Sequence, residues 1–81
     1  MKKNIVFKDN FAFLYLNKNI YTKSKIKEAI IEFKDFIKPS ISQIGEYIVI
    51  KIETITQDYD LKELTYEFAN YILAKEQQTV Q

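Results

Sequence analysis

Phe11-Ala12-Phe13-Leu14-Tyr15-Leu16 is apolar at six successive positions, and this run decides how the rest of the chain is read. It is too short for an ordinary helix, and it lacks the alternation of a strand with one wet face. The reading is a central strand that offers apolar groups on both sides. Ile5-Val6-Phe7 precedes it as a shorter apolar run. Between the two, Lys8-Asp9-Asn10 supplies residues suited to a tight turn, so the first part of the chain reads as a hairpin.

Beyond Leu16 the period changes. Ile26, Ala29, Ile30, Phe33 and Ile37 recur at helical spacing, with Lys25, Lys27, Glu28, Glu32 and Lys34 on the other side. Thr22 suits the N-cap of this helix. Pro39 marks its end, because the residue before a proline avoids helical angles. Ser40 to Ile44 and Tyr47 to Ile55 then flank the turn signal Ile44-Gly45-Glu46-Tyr47, predicting a second hairpin. In its longer arm Ile48, Ile50 and Ile52 alternate with Val49, Lys51 and Glu53, giving one aliphatic face and one mixed face. Asp60, three residues before Glu63, opens the last helix in a capping-box-like arrangement. Leu61, Leu64, Phe68, Tyr71, Ile72 and Lys75 form its stripe, while residues 77–81 lack the spacing to continue it and read as a frayed tail.

The expected order is strand, strand, helix, strand, strand, helix within a single α+β domain spanning residues 1–76. If the first helix makes a right-handed crossover, the sheet order is Ile5–Phe7, Phe11–Leu16, Tyr47–Ile55, Ser40–Ile44. That is an antiparallel-rich four-stranded sheet with two helices on one face, a ferredoxin-like two-layer sandwich whose edge strand has moved to the N-terminus. The helices cover one side only. The other face then shows apolar groups of the central strand beside Val49 and Lys51, and a contiguous apolar patch of this kind marks an interaction surface. Strong twist, the N-terminal arm or the C-terminal tail would cover it more simply.

Composition narrows the chemistry. At 81 residues and 47% apolar content, one core is the limit, and a domain this small gains from burial against a partner. Cysteine and histidine are absent, which removes the usual thiolate and imidazole nucleophiles, Cys/His zinc sites and haem ligation by either residue. A single glycine, Gly45, leaves no phosphate loop or dinucleotide fingerprint. The expectation is a protein that is not an enzyme and uses no cofactor. The 12 basic residues oppose 11 acids for a net charge of +1, and none is arginine, which argues against nucleic acid as a partner. No run reaches the roughly 18 apolar residues of a membrane span. Met1-Lys2-Lys3 leads into too short an apolar stretch for a signal peptide, so a cytoplasmic protein is expected.

Four constellations invite a functional reading. Lys23, Lys25 and Lys27 crowd the start of the first helix, where the macrodipole disfavours cations. They are candidates for an anion or an acidic leader peptide, against the plainer reading of a solvated face balanced by Glu28 and Glu32. Asp58, Asp60, Glu63 and Glu67 lack the spacing and glycine of a calcium loop and are explained by capping and dipole complementation. Phe11, Phe13 and Tyr15 alternate like the stacking platform of single-stranded RNA readers, yet without its basic and glycine flanks they read as core or partner packing. Tyr21, Tyr66 and Asn70 are polar or amphipathic and could rim the core or meet a partner.

Three stretches taken together, Leu16-Asn17-Lys18-Asn19-Ile20-Tyr21, then Ile26-Lys27-Glu28-Ala29 with Phe33, then Tyr66-Glu67-Phe68-Ala69-Asn70-Tyr71-Ile72-Leu73, resemble the HxsD family of His-Xaa-Ser system proteins. The matching features are a tyrosine before a helix with alanine and phenylalanine, an Ile/Val-rich strand pair at Tyr47 to Ile52, and the closing segment Glu67-Phe68-Ala69-Asn70. The resemblance covers roughly residues 11–75. It implies a non-catalytic accessory role in maturing a ribosomally synthesised peptide, beside a radical SAM enzyme that carries the chemistry. The implied partners are that enzyme, its precursor peptide, or both. Tyr21, Tyr66 and Asn70 are contact candidates because the resemblance includes them; Val49 and Lys51 are candidates because they lie on the uncovered face. Edge strands Ile5–Lys8 and Ser40–Ile44 could accept a peptide strand. The alternative expectation is a self-associating homodimeric structural protein with no role in peptide maturation.

Overall fold

The structure is a computed structural model and describes residues 4–77. Its elements run β1 (Ile5–Lys8), β2 (Phe11–Asn17), α1 (Lys23–Glu32), β3 (Ile37–Ile44), β4 (Tyr47–Thr54) and α2 (Leu61–Gln77). The strands form one antiparallel sheet in the order β1-β2-β4-β3. The fold is therefore an α+β two-layer sandwich of ferredoxin-like type with a permuted strand order, as the alternation of periods predicts.

Both tight turns use a residue with positive φ. Asp9 has φ +57 between β1 and β2, and Gly45 has φ +58 between β3 and β4. Asp tolerates this left-handed conformation and glycine adopts it without steric cost. The turns fix the register, and the register sorts the side chains. Ala12, Leu14 and Leu16 of β2 lie opposite Ile52, Ile50 and Ile48 of β4, and all six are buried. Ile26 and Ala29 of α1 and Phe68 and Ile72 of α2 close over them in the same core. Phe33 at the end of α1 joins the layers through edge-to-face contacts with Phe68 at 5.4 Å and Tyr71 at 5.6 Å. Each large aliphatic residue buried this way contributes about 1.5–3 kcal/mol relative to exposure.

Two termini show how the helices are held. Asp60 Oδ1 accepts the backbone N–H groups of Lys62 at 3.0 Å and Glu63 at 3.4 Å, the N-cap of α2 that its spacing predicts. Thr22 occupies the N-cap position of α1 but makes no side-chain cap bond to it. Its N–H and Oγ1 instead donate to Glu76 Oε2 at 2.7 and 2.9 Å. The last turn of α2 thus places a carboxylate at the positive end of α1.

The first helix is shorter than its apolar spacing predicts. It ends at Glu32, and Ile37 opens a strand that contains Pro39. Ile37 satisfies two patterns at once, four residues from Phe33 on a helix and first in an alternating strand. Pro39 is tolerated because β3 lies at the sheet edge, where its missing N–H costs no ladder bond. Proline here is an edge-strand residue and not a helix stop. The tail expected at 77–81 lies outside the described residues except for Gln77, which still belongs to α2.

Candidate docking surface

The same alternation that buries the aliphatic residues of β2 and β4 turns Phe11, Phe13, Tyr15 and Asn17 to the opposite face, beside Tyr47, Val49, Lys51 and Glu53. No described helix packs on that side. The edge strands extend it with Val6, opposite Phe13, and with Ser42 and Ile44, opposite Val49 and Tyr47. Phe11, Phe13 and Tyr15 are half-buried, whereas Val6, Tyr47 and Ile44 are exposed. Tyr15 and Tyr47 meet edge to face at 6.4 Å, and Lys51 Nζ lies 4.1 Å from the centre of the Phe11 ring. Aromatic rings already ordered against neighbours, with one cation held over them, lose little conformational freedom on docking.

Val49 does not stand on this face as an exposed contact. Its exposure is 5%, because Tyr15 and Ser42 flank it across the sheet and Tyr47 and Lys51 flank it along its own strand. It is the floor of the patch. Lys51 is exposed, as its alternation predicts.

The other candidate residues fall elsewhere. Tyr66 and Asn70 lie on α2, where they share a shallow recess of about 440 Å³ with Asp60, Lys62, Glu63 and Glu67. Tyr66 also packs edge to face on Phe7 of β1 at 6.0 Å. Tyr21 is half-buried against the core and donates its N–H to the Asn17 carbonyl at 3.0 Å. It sits beside Thr22 at the start of α1, so the three residues shared with the resemblance do not form one site.

Lys23 and Lys27 are exposed and Lys25 is half-buried. Lys25 lies 4.0 Å from Glu28, which also pairs with Lys75 at 3.4 Å. The residue that sequence reasoning missed here is Glu76. It supplies the anion that the start of α1 attracts, and nothing local signals it, because Glu76 and Thr22 are 54 positions apart. Among the described residues no group of three or more acidic side chains is placed to hold a metal ion. A second recess of about 750 Å³ opens between the β1–β2 turn, the end of β4 and the start of α2, lined in part by Asp9, Lys38, Glu53 and Asp60. Its lining mixes charges of both signs.

Taken together, the fold and its surfaces define a small permuted ferredoxin-like sandwich whose helices cover one sheet face and, among the described residues, leave the other bare. No protein-family model, no curated protein and no solved structure matches the chain.

Proposed function

We propose that this chain is a non-catalytic accessory module in the radical SAM-dependent maturation of a ribosomally synthesised peptide, and that its bare sheet face docks the modifying enzyme. The observation that supports this reading is the patch itself. Phe13, Tyr15 and Val49 share this face with Val6, Tyr47 and Ile44, and an apolar surface of this kind is characteristic of interaction sites. The resemblance of Leu16 to Tyr21, Ile26 to Ala29 and Tyr66 to Leu73 to HxsD proteins supplies the biological setting. No described helix is long and apolar enough to cross a membrane, and we place the module in the cytoplasm with its enzyme. The precursor peptide is a second partner, and exposed Lys23 and Lys27 remain available to acidic residues of its leader.

The test is size-exclusion chromatography with light scattering on the chain, alone and mixed with a radical SAM enzyme from its own gene neighbourhood, with and without the precursor peptide. Co-elution with the enzyme, lost on Phe13→Ser in a variant that keeps its circular dichroism, is the expected result. Separate elution under both conditions overturns the reading.

A further inference from the structure

We propose that the flank of α1 turned away from α2, together with Ile41 of β3, is a docking strip for an acidic, partly apolar peptide segment, and that the leader of the precursor peptide supplies that segment. The source rests on the accessory function proposed above, whereas the chemistry of the strip does not.

An α-helix turns about 100° per residue, which sorts the side chains of α1 by direction. Glu28 pairs with Lys75 of α2 at 3.4 Å, and Phe33, just past the helix, packs on Phe68 and Tyr71 of α2. These contacts define the flank turned to α2. Lys23, Lys27 and Ile31, each four residues from the next, fall on the opposite flank. α2 itself packs on β2 and β4 and sets Tyr66 against Phe7 of β1, so the free flank of α1 lies toward β3.

Two features of this flank are unfavourable in the chain on its own. Lys23 and Lys27 are a like-charged pair at i, i+4 beside a helix end that disfavours cations, and the first turn holds no acidic residue. The acids that could balance them are engaged or point elsewhere. Glu28 holds Lys25 and Lys75, Glu76 is bonded to Thr22 and Glu46 to Asn19, while Glu32 falls on the half of α1 nearer α2. Among the described residues neither Lys23 nor Lys27 forms an ion pair. The second feature is apolar. Ile41 lies opposite Ile50 on the helix-covered side of the sheet, yet it is 48% exposed, so the helix layer stops short of it. Ile31 is 65% exposed. Pro39 and Gln43, which flank Ile41 on that side, bring no charge.

Unbalanced cations beside uncovered isoleucines select the occupant by charge complementarity. Carboxylates about 6 Å apart, the rise of four helical residues, meet both lysines, and aliphatic side chains next to them cover Ile31 and Ile41. Because Glu76 already occupies the start of α1, the lysine side chains supply the attraction and the helix terminus does not.

The test titrates the full chain, by fluorescence anisotropy, into a labelled twelve-residue peptide of alternating glutamate and leucine, its glutamine–leucine counterpart, and the synthetic leader of the neighbouring precursor. The glutamate peptide and the leader should bind, more weakly as salt is added, and the glutamine peptide should bind about tenfold more weakly still. Lys23→Glu combined with Lys27→Glu should reduce affinity for both acidic probes by about tenfold or more. Ile41→Ser should reduce it by a smaller factor and Lys8→Glu should leave it unchanged, with folding of each variant checked by circular dichroism. A glutamate peptide that does not bind overturns the proposal, as does equal binding of the glutamine peptide, indifference to the two lysine substitutions, or binding of phosphatidylglycerol vesicles in place of peptide. If the glutamate peptide binds and the leader does not, the leader is overturned as the occupant. A chain that binds both acidic probes through these lysines but ignores the enzyme upholds the strip and overturns enzyme docking. Leader binding that ignores these lysines does the reverse.

Discussion

The two faces of this sheet are built from the same strands, yet they are written in different residues. On the covered face β2 and β4 contribute Ala12, Leu14, Leu16, Ile48, Ile50 and Ile52, all aliphatic and all buried. On the bare face the alternating positions hold Phe11, Phe13, Tyr15 and Asn17 of β2 and Tyr47, Val49, Lys51 and Glu53 of β4. Aliphatic side chains interdigitate with helices at interior density. Aromatic and amphipathic ones give large contact area while tolerating water, the mixture enriched at interfaces. The difference teaches that one face is finished by folding and the other is suited to being finished by association.

The sharpest break in that comparison is a matched truncation. Ile50→Ala on the covered face should lose about 2–5 kcal/mol, while Phe13→Ala on the bare face should lose about 1 kcal/mol, both read from urea unfolding with unchanged slopes. Equal losses would mean that the two faces are packed alike. Val49→Asp probes the one residue that crosses the division, since it lies on the bare face but is 5% exposed. A carboxylate there should cost about 2–3 kcal/mol and lower the melting temperature, which makes this substitution a test of the fold and a poor test of docking. The smallest effect is expected from Lys51→Ala, which removes the cation from the Phe11 ring at a cost of about 0.5 kcal/mol. Its unfolding curve should nearly overlay that of the parent.

Much of this division was legible in the sequence. The unbroken apolar run Phe11 to Leu16 indicated a two-sided strand, and the alternation from Tyr47 to Glu53 assigned its neighbour's faces. Asp60 capped α2 as its spacing predicts. What escaped was decided by contacts between distant segments. Ile37 fits both a helix and a strand, and only its place beside Thr54 in the sheet resolves it. Pro39 ends helices in one context and blunts an edge in another, and edge position is a tertiary property. Val49 is 5% exposed although it lies on the bare face, and its cross-strand neighbours Tyr15 and Ser42 come from other strands. The separation of Tyr21 from Tyr66 and Asn70 depends on how the helices lie, and local spacing carries no record of it.

The central claim is that the bare face docks the modifying enzyme. Its most direct test is a calorimetric titration of that enzyme with the parent chain and with Phe13→Ser, each verified as folded. The account predicts a dissociation constant raised about tenfold or more by this single substitution. An unchanged constant would contradict it and move the contact to another surface.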